Sequence, residues 1–390
     1  MMEVKYRERK NTNSMKWDGT KARFSEADLF PLWVADMDFE VPKCVKEELA
    51  AYVEQGTFGY YLPPEEYSSA FINWEKNYHK YEVQKEWIRF APGVVQGFNW
   101  MVQTLTKPGD HVLITPPVYF PFEKAIVNNQ RKLVESILRR TETSYELDFA
   151  DFEQKIIDKQ VKLFIFCSPH NPVGKVWKRE ELVKILDICK KHQVYVLSDE
   201  IHQDLILKGN EQIASATVGD YDDILVTLTS ATKTFNLAGC QNSFLIIPKE
   251  EIRNKYDEFT KEIAMDGGNA FGYIAVRSAY ENGRSWLEEL LKIIEKNYEV
   301  MKKILTEAYP DIWLSDLQGT YLSWIDLGAY VKPEEMVDFI QNKCKLAVNF
   351  GSWFGGNDSG SCIRVNLATK EENIIKAANI IVEQLKIKNI

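Results

Sequence analysis

Three stretches decide the fold: VKLFIFCSPHNPVG at residues 161–174, YVLSDEIH at 195–202 and ILVTLTSATK at 224–233. Each begins with a short apolar run and then turns abruptly polar. Runs of this length, unbroken by alternation, suit strands buried on both faces of a largely parallel sheet. The expected strands are Lys162 to Cys167, Tyr195 to Ser198 and Ile224 to Leu228, joined by His111 to Thr115 and Phe244 to Ile247. Between two of them, residues 179–192 place Leu182, Ile185, Leu186 and Cys189 at helical spacing, which predicts a crossover helix with one buried face and a core role for Cys189.

In an open α/β sheet, ligands bind beyond the carboxyl ends of the strands. The residues that follow the three runs are Asn171, then Asp199 with His202, then Ser230, Thr232 and Lys233. An amide, a carboxylate and an amine are therefore expected at one sheet edge. Burial lowers the pKa of a lysine and leaves a neutral amine able to form a Schiff base, so Lys233 is the first candidate for chemistry. A carboxylate at Asp199 can keep a pyridine nitrogen protonated, although an N-cap or a structural ion pair would also explain it. Asn171 precedes a proline and reads equally as a turn residue or as a donor to a ring oxygen.

Pro92-Gly93-Val94-Val95 precedes an expected helix running to about Thr106, whose exposed N–H groups offer an anion site beside the hydroxyls of Ser230 and Thr232. Tyr119 ends the next polar turn and could stack on a planar ligand or simply pack in the core. Arg364, in Cys-Ile-Arg-Val-Asn-Leu, falls within an expected strand. A buried guanidinium calls for an anion, supplied either by an internal salt bridge or by a bound carboxylate.

The rest of the chain sets bounds. Its 390 residues exceed one core's usual reach and predict two domains. Residues 46–283 form the larger, residues 284–390 a smaller α+β domain with strands at Tyr321 to Leu327 and Cys362 to Leu367, and residues 1–45 pack back on the small domain and the site. No uncharged apolar run nears the ~20 residues of a membrane span, and the polar start lacks a secretory core. Six scattered cysteines without a CxxC pair argue against disulfides and structural zinc and for the cytoplasm. A net charge of −9 argues against nucleic acid.

Together, Trp33-Val-Ala-Asp-Met-Asp-Phe39, Phe58-Gly-Tyr60, Pro117-Val-Tyr119, residues 168–174, Ser198-Asp-Glu-Ile-His202, residues 230–236 and Ile363-Arg-Val-Asn366 resemble the fold-type I pyridoxal 5'-phosphate (PLP) enzymes, in particular the MalY/PatB-type cystathionine β-lyases or C–S lyases. The resemblance spans nearly the whole chain. It implies the aspartate-aminotransferase-like fold, Lys233 as the Schiff-base lysine and base, Asp199 at the pyridine nitrogen, Asn171 at the phenolic oxygen, and Tyr119 stacked on the ring with a share in catalysis. It further implies that Gly93, Val94, Val95, His202, Ser230 and Thr232 contact the cofactor, that Arg364 grips the substrate carboxylate, and that Asp36, Tyr119 and Asn171 help bind the substrate.

The implied reaction is α,β-elimination of cystathionine or cysteine to pyruvate, ammonia and a thiol. The implied assembly is a homodimer in which Tyr60 reaches the partner subunit's cofactor phosphate. Two departures stand out: Gln241 occupies the place where many aminotransferases of this fold carry a phosphate-gripping Arg, and Phe120 replaces a second tyrosine found in some C–S lyases. An aminotransferase shares the early chemistry and is the alternative, as is a lyase that doubles as a regulatory binding protein.

Overall fold

The computed structural model describes residues 4–265 and 267–388, so three residues of the 1–45 segment lie outside it. A seven-stranded sheet is built from β1 (Ile88–Ala91), β2 (His111–Ile114), β3 (Lys132–Glu135), β4 (Leu163–Cys167), β5 (Tyr195–Asp199), β6 (Leu225–Thr229) and β7 (Ser243–Ile246). Its order is β1-β7-β6-β5-β4-β2-β3, and β7 alone runs against its two neighbours. The five strands expected from sequence are present within one residue at each end. The short, half-buried β1 and the partly exposed β3 were not anticipated, because neither carries a continuous apolar run.

Alternation within the central strands divides the core into two layers. Leu163, Ile165 and Cys167 face one layer with Phe98 and Met101, while Phe164 and Phe166 face the other with Leu182 and Ile185. The crossover helix α4 spans Arg179–Lys191 and buries Cys189 completely, as its spacing predicts. The helix after β1, α3 (Val94–Leu105), lies flush on the sheet at Gly97. A Cβ there would stand only 3.0 Å from Leu228 Cδ2, so the glycine permits the close approach.

Helices α1 (Lys43–Glu54) and α2 (Glu65–His79) precede this unit. Beyond it, α6 (Arg284–Ala308) and α7 (Glu371–Lys388) pack against each other beside a four-stranded antiparallel sheet of β8 (Trp313–Leu314), β9 (Leu322–Asp326), β10 (Asn349–Phe350) and β11 (Cys362–Asn366), ordered β8-β9-β11-β10. One apolar core runs from Phe24 and Leu32 through Phe71 and Phe244 to Ile294 and Ile325. Residues 4–40 join it through Phe30 and Pro31, which pair in parallel with Leu346 and Ala347. Asn236 completes the attachment: its amide accepts from Met37 N at 3.1 Å and donates to Phe39 O at 2.9 Å. Lys16, fully buried, is neutralised by Asp38 at 2.8 Å.

Candidate active site

The register sets the site. In parallel pairing Cys167 lies opposite Asp199, and Asp199 opposite Leu228, so β4, β5 and β6 end level with one another. Asp199 is the last residue of β5 rather than the first of its loop. The chain then breaks into a polar turn after each strand, and a cavity of about 260 Å³ forms over the strand ends. Asn171, Asp199, His202, Thr232, Lys233 and Tyr119 all line it, together with Gly93, Val94 and Val95 at the start of α3.

Lys233 sits in α5 (Ala231–Thr234), a single turn capped by Ser230, whose hydroxyl accepts from Thr232 N at 3.1 Å. Its Nζ donates to Ala35 O at 2.5 Å, and the same carbonyl accepts from Tyr321 Oη at 2.9 Å. Burial brings the Lys233 ammonium down to about 8; Asp36 and Asp199 oppose the shift, and Arg364 reinforces it. Burial likewise pushes the Asp199 carboxyl up to about 7, against the N–H of Ile201 and the charge of Lys233. His202 is buried and driven well below the ordinary imidazole range, and its Nδ1 has no hydrogen-bond partner. It is therefore a neutral ring in this site.

Gly93 caps α3 without a side-chain hydrogen bond, which leaves the first-turn N–H groups of a twelve-residue helix facing the cavity. An uncapped terminus of this kind attracts an anion. Arg364, on β11, is almost wholly buried. Its guanidinium donates to Asn171 Oδ1 at 2.8 Å, to Asn349 Oδ1 at 2.5 Å and to Trp33 O at 3.3 Å. These acceptors are neutral, and Arg364 has no ion pair among the described residues, which excludes the internal salt bridge as its explanation. Nε lacks a partner, and burial lowers the guanidinium to about 10.

Three of the expected residues lie outside the cavity lining of the single chain. Ser230 does not line the cavity: its hydroxyl donates to Asn242 O at 2.6 Å while capping α5, so it shapes the turn from behind. Asp36 also stands outside the lining, its carboxylate paired with Arg9 at 2.8 Å. It acts on Lys233 through charge. Tyr60 lies fully exposed and away from the cavity of its own chain.

Sequence reasoning missed Ala35, Asn349, Cys167, Gln96 and Tyr321. Ala35 reaches the site because the N-terminal segment folds over it, Tyr321 comes from the distant C-terminal part to pack edge-on against His202, and a neutral Asn in a two-residue strand gives no local signal. Gln241 does line the cavity, in the left-handed conformation with φ 48°.

A cavity that pairs a carboxylate with a depressed lysine, beside an uncapped helix terminus, fits PLP. Asp199 suits the ring nitrogen, Lys233 the aldehyde carbon, and the α3 terminus with Thr232 the phosphate. The family model for aminotransferase class I and II matches residues 27–381. Cystathionine beta-lyase PatB of Bacillus subtilis is 39% identical over 96% of this chain and 98% of that protein. The structure of cystalysin from Treponema denticola, which contains PLP, superimposes with a TM-score of 0.93 at 36% identity, covering 98% of both chains. A PLP-bound C–S lyase from Staphylococcus hominis gives 0.91 at 31%, covering 98% of this chain and 97% of that one.

Proposed function

The chain belongs to the class I and II aminotransferase family, and from that premise we propose that it is a PLP-dependent carbon–sulfur β-lyase. It converts a sulfur amino acid such as cystathionine or cysteine to pyruvate, ammonia and a thiol. The observation that carries this reading is a partly buried lysine whose amine is depressed to about 8 in the same cavity as a buried carboxylate.

Bound PLP supplies the electron sink that accepts the pair left on Cα when its proton departs. Arg364 holds the substrate carboxylate, because its charge has only neutral partners and two parallel N–H groups match a carboxylate. Asn171 orients Arg364 from the cavity wall. Lys233 would serve as the base that takes the Cα proton; a positioned base contributes about 10²–10⁴-fold. Asp199, a buried carboxylate, would favour a protonated partner on the ring. Tyr119 offers its ring face to the cofactor. Its phenol is pushed up to about 12 by burial and so stays protonated, able to donate to the departing sulfur. Neutral His202 lines the cavity without adding charge.

The enzyme works as a homodimer in the cytoplasm. Support for the dimer is the exposed stretch Phe58, Tyr60 and Leu62, an apolar patch that a second subunit would cover, bringing Tyr60 to the neighbouring phosphate. Six free thiols support a reducing compartment. Among the described residues no helix is long and apolar enough to cross a membrane.

The test is to offer the PLP-loaded protein and its Lys233→Ala variant cystathionine and cysteine, measuring pyruvate, homocysteine and sulfide. Elimination products from the wild type and a loss of at least about 10²-fold in the variant are expected. A keto acid formed only when a second keto acid is supplied, without a thiol, would replace the lyase with an aminotransferase.

A further inference from the structure

Past Lys233 and Tyr119 lies a second chamber, of about 540 Å³. It shares these two residues and Ala35 with the inner cavity and continues outward along Trp33 and Phe120. Three charged side chains line it, Lys233, Arg364 and Arg23, all cationic, with no acid among them. In a chain of net charge −9, a chamber lined by cations alone is a local reversal of sign.

Arg23 differs from Arg9 and Lys16, two other basic residues of the N-terminal segment. Arg9 is paired with Asp36, and Lys16 with Asp38. Arg23, on the short helix Thr20–Phe24, has no ion pair or side-chain hydrogen bond among the described residues. Its guanidinium instead lies 4.0 Å over the ring of Trp353. Stacking on an indole fixes the plane of a guanidinium while leaving its N–H edge free for an anion.

Resting on the lyase reading, we infer that Arg23 is the distal carboxylate receptor of the substrate site, selecting amino acids whose sulfur carries a second carboxylate-bearing chain. Arg364 takes the near carboxylate, the aromatic and apolar walls cover the thioether stem, and Arg23 meets the far end. The chamber falls within the roughly 300–1,000 Å³ range of sites that enclose ligands much larger than cysteine. A cysteine molecule would leave Arg23 idle.

The experiment measures binding of carbon analogues that cannot eliminate a thiol. Calorimetric titration of the PLP-loaded protein with 2,7-diaminosuberate, the all-carbon counterpart of cystathionine, is compared with norleucine, which ends in a methyl group. An exposed charge-assisted contact predicts a preference for the diacid on the order of fivefold. That preference collapses toward one in Arg23→Gln and survives in part in Arg23→Lys. A preference unchanged in Arg23→Gln, or absent in the wild type, overturns the assignment. Because no elimination is measured, the result stands apart from the lyase test: a protein that yields no thiol from any sulfur amino acid could still show or lack this preference.

Discussion

Thr234, the neighbour of Lys233, donates its hydroxyl to the buried carboxylate of Asp204 at 2.7 Å. Asp204 also accepts from Trp74 Nε1 at 2.8 Å and lies 2.7 Å from His79 Nε2. His79 is raised to about 9, against its own burial, by Glu75 and Asp204, so an imidazolium–carboxylate pair underlies the turn that presents the lysine. Removing one partner of a buried pair leaves the other charge stranded, at about 3–5 kcal/mol. Asp204→Asn is therefore expected to lose that much stability in urea titration. Thr234→Val, which removes only a hydrogen bond, should lose about 1–3 kcal/mol. A loss under about 1 kcal/mol in Asp204→Asn would contradict the pairing.

The depressed amine of Lys233 makes the uptake of cofactor pH-dependent. Only the neutral amine attacks an aldehyde, so covalent capture of PLP by cofactor-free protein should rise with pH to a midpoint near 8, well below the ordinary lysine range. The sign of one variant is fixed. The negative charge of Asp36 raises the lysine, so Asp36→Asn must move the midpoint lower still. Borohydride trapping followed by mass measurement reads the captured fraction at each pH. A midpoint near that of free lysine, or an upward move in Asp36→Asn, would defeat the account.

Phosphate recognition is separable from ring recognition. Thr232 lines the cavity beside the uncapped terminus of α3; its backbone N–H is taken by Ser230 Oγ, and its hydroxyl, 2.9 Å from the same Oγ, is the group that would turn to a bound anion. A hydrogen bond to a charged group contributes about 1.5–3 kcal/mol, and 1.4 kcal/mol is about tenfold in affinity. Thr232→Val should thus weaken PLP binding by about tenfold or more while leaving binding of unphosphorylated pyridoxal nearly the same. Equal losses for both compounds in an absorbance titration would place the phosphate elsewhere.

Much of this was legible in the residues, for identifiable reasons. The buried strands β4, β5 and β6 advertise themselves by unbroken apolar runs, and because parallel strands end level, Asn171, Asp199 and Lys233 could be brought together before any coordinates. Edge strands β1 and β3 carry mixed faces and escaped notice. Ala35, Tyr321 and Asn349 reach Lys233 or Arg364 through contacts across more than a hundred residues or through uncharged atoms, for which spacing offers no rule. Ser230 reads alike in sequence whether its hydroxyl caps the turn or meets a ligand; the structure adds the cap and the acceptor Asn242 O.

Arg364 gives the sharpest separation of binding from folding. A lysine at 364 keeps the positive charge but cannot reach Asn171, Asn349 and a carboxylate with one planar fork. The geometry that Asn171 and Asn349 impose on the guanidinium is a substrate-binding geometry, so its loss should fall on KM more than on kcat. Arg364→Lys is expected to lower kcat/KM by about 10–100-fold, the value of a bidentate charge-assisted contact. The cofactor's absorbance should persist, since neither Asp199 nor Lys233 depends on this contact for its position. Steady-state kinetics with cysteine and cystathionine, alongside the spectrum of the bound cofactor, checks both halves. An unchanged KM would show that the substrate carboxylate binds elsewhere, and a lost spectrum would show Arg364 to be a structural support of the cofactor pocket.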